Sequence, residues 1–444
     1  MIRIANGQGF WGDWLEAPVR LIEQGPIDYL VLDYLAEVTM SILQKQKKAN
    51  PELGYARDFP PLIARLERLL RERSVKVIAN AGGVNPIACA REIRRVAPSL
   101  KVAVVLGDDV FGRLDEFLAA GHEMRNMDTG APLRTIRERI QSANAYIGAF
   151  PLAEALATGA DVVVTGRCAD AALSLAPMVH RFGWKAEEWD KLASGIVAGH
   201  IVECGAQSTG GNCQVDWQSI PDLANIGYPI IEAEPDGSFT ITKHPGTGGR
   251  VSSDVIKEQL LYELGDPTAY LTPDCAADFT SIQLQDSGPD RVRFWGIRGR
   301  QRPEELKLSI SYSNGWKSIG TLVYSAPQGL EKAHAADRIV RARLEQLGLE
   351  LETIHTEFFG VNACHGSVAI PNPDPPEVQL RIGVRGQDKK AIDRFTRELI
   401  PLVLSGPPTA TGYGEGRPPV REIVAYWPAL IPRELIHTKV EVVA

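Results

Sequence analysis

The run SVKVIANAGGVNPIACAREIRRV, Ser74–Val96, decides the fold. Ser74–Asn80 is a short apolar strand pattern, and NPIACAREIRRV continues as an amphipathic helix. Asn85 is placed to cap that helix, with Pro86 at its first position. A strand, a glycine-containing turn and a helix within 23 residues form one β–α step, and the same step recurs on either side.

Upstream, MIRIAN precedes a helical stretch from Asp13 to Gln24, and DYLVLD (Asp28–Asp33) precedes another helix. Downstream, KVAVVLGDD (Lys101–Asp109) leads into FGRLDEFLAAG, and DVVVTGR (Asp161–Arg167) into CADAALSLAPMVHRFG. Val- and Ile-rich runs between amphipathic helices predict an α/β domain over residues 1–222, with a doubly wound, mostly parallel sheet. From residue 301 to 444 the order changes: ELKLSISYS, a helix near Gly329–Leu347, ETIHTEFFGV, VQLRIGVRG, a helix at Lys389–Leu404, and VREIVAYWP. That βαββαβ order predicts a ferredoxin-like α+β C-terminal domain. Residues 223–300 read as a mixed connecting region, with a hairpin around Pro235-Asp236-Gly237.

The 444 residues, 44% hydrophobic, suffice for two domains, and a formal net charge of -7 argues against nucleic acid as partner. Six scattered cysteines without a C-x-x-C fit reduced thiols, and no apolar run is long enough for a signal peptide or membrane span. The expectation is a cytoplasmic, homo-oligomeric enzyme with a small-molecule substrate and no membrane or nucleic-acid partner.

Ligands of open parallel sheets bind beyond the carboxyl ends of the strands. Here those ends carry Gly7 and Gly9, Asp33, Asn80 and Gly82, Asp108 and Asp109, and Arg167, Cys168 and Asp170. Gly7-x-Gly9-x-x-Gly12 with Asp33 has dinucleotide-fingerprint spacing, though Phe10 and Trp11 crowd it; a nucleotide-dependent oxidoreductase is therefore an alternative, beside a non-catalytic partner subunit. Asp33, Asp108, Asp109 and Asp170 leave room for a divalent metal, although no metal-ligand motif is present.

In VAGHIVECGAQSTGGNC (Val197–Cys213), His200 and Cys204 fall on one helix face. A helix C-terminus favours imidazolium and raises a thiol, so His200 reads as an acid or base and Cys204 as the weaker candidate. Ser208, Thr209, Gly210 and Gly211 follow as possible anion or oxyanion donors. A second glycine loop, Thr247, Gly248, Gly249 and Arg250, opens a helix capped by Ser252 or Ser253, beside His244 held neutral by Lys243 and Arg250. Arg167 and Asp170 complete the catalytic candidates.

DYLVLDYLAEVTM, NAGGVNP, TGRCADAALSLAPMVHRFGW, GIVAGHIVECGAQSTGGN, HPGTGGRVS, QLLYELGDPTAYLTPD and ADFT occur in that order from residue 28 to about residue 280. In these stretches the chain resembles the acyclic terpene utilization (AtuA) family. That resemblance implies catabolism of citronellol- and geraniol-type compounds, with CoA as part of the substrate, and carries over no catalytic residue. The combined expectation is a hydratase, lyase or thioester hydrolase for a branched acyl-CoA or carboxylic acid, with no certain cofactor.

Overall fold

A computed structural model describes all residues except 36, 371, 373, 413, 415 and 444, and all but the side chains of 37 and 38 among the rest. The chain is α/β and divides into two units: residues 1–311 with 426–444, and residues 312–425.

The first unit contains a ten-stranded sheet. Its centre is Ile2–Gln8, Tyr29–Leu32, Lys76–Ala79, Val162–Thr165 and Val102–Leu106, in that spatial order and all parallel. Alternation along these strands divides two cores. Ile4, Val31, Ile78, Ala103 and Val163 pack with the helices Ala149–Ala157, Ala172–Phe182 and Trp189–Val202. Ala5, Leu30, Leu32, Val77, Val104 and Val164 pack with Ala17–Gln24, Phe59–Arg73 and Pro86–Val96. Strands covered on both faces have to be continuously apolar, which is why they were legible as Val- and Ile-rich runs.

The sheet is mixed, and this corrects the expectation of a mostly parallel one. Ile230–Ala233, Phe239–Thr242, Arg291–Trp295 and Gln283–Asp286 extend it from the first strand by antiparallel pairing. Lys439–Val443 adds an antiparallel strand at the other edge, against Val102–Leu106. Hairpin strands need no crossover helix, so the turn at Pro235-Asp236-Gly237, with Gly237 at φ 93, returns the chain directly to the sheet. Strands from the stretch read as a mixed connecting region, 223–300, thus belong to the same sheet as the N-terminal β–α steps.

A further sheet has the strand order Thr353–Phe359, Glu377–Gly386, Glu305–Ser325, Arg421–Pro432, with Glu377–Gly386 antiparallel to both its neighbours; the first two strands lie within the second unit, and the other two have residues in both units. The helix Gly329–Gln346 packs Ala333, Ala336 and Val340 against Leu322, Leu380 and Ile382. The helix expected over Lys389–Leu404 is two, Lys389–Phe395 and Leu402–Ser405. Pro401 disfavours helical backbone at Ile400 and starts the second piece. Asn85 does precede the helix Pro86–Val96, but its amide donates to the carbonyls of Pro51 and Leu53 instead of capping it.

Candidate functional site

The carboxyl ends of the parallel strands in the first unit place their polar residues side by side. Asp33 follows the second strand; its amide donates to the carbonyl of Gln8 at 2.9 Å. Asn80, after the third strand, donates through Nδ2 to Asp33 Oδ1 at 2.7 Å and accepts from the amide of Tyr34 at 2.7 Å. The Leu35 amide also donates to Asp33 Oδ1, at 3.0 Å. Burial pushes the Asp33 carboxyl up to about 7, reinforced by Asp170 and opposed by Arg167 and Asn80.

Asp108 and Arg167 interlock in the same way. The Arg167 amide and Asn144 Nδ2 donate to Asp108 Oδ2 at 2.8 and 2.9 Å. Burial again raises the carboxyl to about 7 against those two donors. The Arg167 side chain is 1% exposed. It donates to Asp170 Oδ1 at 2.6 Å and to the carbonyl of Leu35, over the ring of Tyr146 at 4.3 Å. Burial works against its charge, but Asp170, Tyr146 and Asp33 hold the guanidinium above its ordinary value.

Asp33, Arg167 and Asp170 border a cavity of about 500 Å³ together with Gly9, Glu203, Cys204, Gly211 and Glu263. Asp170, Glu203 and Glu263 also border a second cavity, of about 550 Å³. Glu203 follows the helix Trp189–Val202, and its Oε1 lies 3.1 Å from His200 Nδ1, one helical turn back. His200 is fully buried, in a three-ring cluster with Tyr270 and Phe279 at 5.4 and 5.3 Å. Burial pushes Glu203 up to about 7 against the pull of His200. For His200 burial opposes protonation, but the carboxylate prevails and the imidazole titrates above its ordinary value. Burial and the neighbouring Glu203 raise the Cys204 thiol to about 12, so it stays protonated and is a poor nucleophile.

Of the residues singled out in the sequence, the first cavity brings together Gly9, Asp33, Arg167, Asp170, Cys204 and Gly211. Asn80 and Asp108 stand behind them as hydrogen-bond partners. Gly7 packs against Leu30, Leu32 and Pro18, and the Gly82 amide is bonded to the carbonyl of Thr165. The loop amides expected to receive an anion are already engaged. Gly210 and Gly211 donate to the carbonyls of Gln207 and Ala206; Gly248, Gly249 and Arg250 donate to those of Asn225, Pro221 and Thr209. Ser208 and Thr209 are buried and donate to the carbonyls of Gly205 and of Ala206 and Gly227. The Thr247 hydroxyl donates to the carbonyl of His244, and Arg250 to Ser219.

His244 borders a different and very small cavity, with Trp14, Arg20 and Thr247. Its protonation is disfavoured by burial and by Arg3, not by Lys243 or Arg250. The Gly7–Gly12 loop is also filled from within: Asp13 accepts from the amides of Gly9 and Trp14, at 2.9 and 2.7 Å, and from Tyr228 Oη at 2.6 Å. The helix behind the loop starts only at Ala17. A dinucleotide pyrophosphate would meet a carboxylate where the fingerprint offers free amides. Among the described residues no group of three or more His, Cys, Asp or Glu side chains is arranged to hold a metal ion.

Sequence reasoning missed Glu203 and Glu263. For Glu203 a signal was present: it lies three residues after His200, on the same helix face. Glu263 follows the helix Ser253–Leu261 and reaches the cavity only through tertiary packing.

A family model described as acyclic terpene utilisation family protein AtuA matches residues 2–442. No curated protein and no solved structure matches the chain.

Proposed function

The chain belongs to the acyclic terpene utilisation family AtuA, whose match covers essentially its whole length, and on that premise we propose an acid–base enzyme of the hydratase or lyase type in the catabolism of branched acyl compounds. The observation that carries this reading is a pair of carboxyls, Asp33 and Glu203, bordering one cavity and each raised by burial to about 7. Carboxyls that titrate near neutrality both give and take protons at working pH, the property general acid–base catalysis needs.

In the dehydration direction one carboxylate takes the proton next to the acyl carbonyl, and the partner carboxyl protonates the departing hydroxyl. A C–H and a C–O bond break, a carbon–carbon double bond forms and water leaves. Glu203 suits the mobile role, because His200 Nδ1 stands beside one of its oxygens. His200 is a positioning residue, sealed from the cavity. Arg167 supplies the positive field for the enolate.

Thioester hydrolysis by Cys204 is disfavoured by its raised thiol. The wall is rich in carboxyls, so a CoA substrate would insert its uncharged acyl portion and leave the nucleotide outside. The test is a panel of branched 3-hydroxyacyl and enoyl thioesters with their free acids, followed by enoyl absorbance. Reversible turnover of at least one pair is expected; no turnover across the panel would defeat the proposal.

A further inference from the structure

We infer that the second cavity is a subsite for the uncharged hydrocarbon part of the substrate, which would then span both cavities with its reacting carbon at Glu203. This rests on the acid–base reading of the first cavity and assigns the remainder of the ligand. Asp170, Glu203 and Glu263 border both spaces. Beyond them the linings differ. The first cavity continues into Asp13, Asp33 and Arg167 beside Phe10, Leu35 and Tyr228, whereas the second is bordered by neither Asp33 nor Arg167 and takes in the aliphatic side chains of Met127, Leu271, Pro273, Pro303 and Leu430.

Three of these apolar residues are exposed to a degree that demands an explanation: Leu271 is 65% exposed, Met127 53% and Leu430 39%. Single exposed apolar side chains are ordinary, but three converging on one concavity mark a binding surface. Lys307, Glu304 and Glu305 also border this cavity. One cation beside two carboxylates, next to the three carboxyls of the common wall, repels a phosphate or a nucleotide. An aliphatic chain carries no such penalty, and each methylene withdrawn from water contributes roughly a fourfold gain in affinity.

The experiment uses the full chain and straight-chain primary alcohols as probes, 1-butanol against 1-octanol, by calorimetry and by NMR with methyl-labelled methionine. The Met127 methyl reports from within the subsite, while Met1, also exposed at 60%, serves as the internal control. Affinity is expected to rise roughly fifteenfold for every two methylenes added. 1-Octanol should shift the Met127 resonance and leave that of Met1 in place. Leu271→Glu and Leu430→Glu should each weaken 1-octanol at least tenfold, with Leu404→Glu, at a 95% exposed site on the other unit, as the unaffected control.

Absence of chain-length dependence, or an unmoved Met127 methyl, overturns the subsite even where Leu271→Glu or Leu430→Glu fails to fold. Chain-length-dependent binding without turnover of any thioester or acid leaves the subsite standing and removes the acid–base chemistry. Turnover whose KM is untouched by Leu271→Glu and Leu430→Glu does the reverse.

Discussion

Glu203 Oε1 and His200 Nδ1 lie 3.1 Å apart, with the imidazole fully buried and the carboxyl bordering both cavities. In the acid–base reading proposed above, the usual order of such a dyad is inverted: the carboxyl would meet the ligand, and the buried imidazole 3.1 Å behind it would hold its charge in place. Glu203→Gln preserves size but cannot take a proton, so kcat should fall roughly 10²–10⁴-fold. His200→Asn should cost less and should move the acidic limb of the kcat/KM profile, which a purely structural role would not do. An unshifted profile in His200→Asn, or full activity in Glu203→Gln, removes the dyad from the chemistry.

Asp33 makes stability depend on pH with a definite sign. Its folded value, about 7, lies above the ordinary 3.8, so the folded state holds a proton that the unfolded chain has released. The associated stability is present below about pH 4 and is lost as pH rises through about 7, to a total of roughly 4 kcal/mol. Asp33→Asn keeps an oxygen for the Asn80 and Leu35 donors and has no charge to bury. Its advantage over the parent in urea unfolding should grow from near zero at pH 4 to a plateau above pH 7. A gap that does not change with pH would count against the buried-carboxyl account.

What the sequence shows of this site follows from locality. Strand ends, turns and helix starts are written in adjacent residues, so Asp33, Asn80, Asp108 and Arg167 could be placed at one sheet edge without knowing their partners. The glycine loops misled for the same reason. Gly249 read as an open amide because the carbonyl that engages it, on Pro221, lies 28 residues back and is recognisable only after folding, whereas the Gly210 amide closes a local turn onto Gln207. His200 attracted attention as an ionisable side chain, but the rings packed on it come from Tyr270 and Phe279, 70 and 79 residues on. The antiparallel edges were missed because a hairpin strand can join a parallel sheet, and composition does not say which sheet it joins.

Arg167 should tolerate little change. Its guanidinium bonds Asp170 and the carbonyl of Leu35 in two directions and lies over Tyr146. Lysine has a point charge and no fork, so Arg167→Lys cannot satisfy both. Arg167→Met leaves Asp33 and Asp170 without their countercharge and should destabilise by roughly 3–5 kcal/mol. Adding Asp170→Asn should return part of that loss, and the coupling is read from urea unfolding of the two single variants and the double variant. Strict additivity would show that the pair is not energetically linked.

Gly9 tests the nucleotide alternative and the site geometry together. A Cβ there would sit 2.8 Å from the backbone carbon of Cys204 and 3.0 Å from the carbonyl oxygen of Glu203. Glycine is therefore required for the first strand to approach the end of the Trp189–Val202 helix, and pyrophosphate access is not needed to explain it. Gly9→Ala should separate strand from helix and displace Glu203, costing roughly 1–3 kcal/mol of stability. Turnover should fall with it, while Gly12→Ala, whose Cβ meets only a Phe10 ring atom at 3.6 Å, pays mainly for its positive φ of 111 and keeps the site aligned. NADH should show no saturable binding to the parent chain, because Asp13 already holds the Gly9 amide. Saturable NADH binding that weakens in Asp33→Ala would reverse the assignment and make Gly7–Gly12 a nucleotide loop after all.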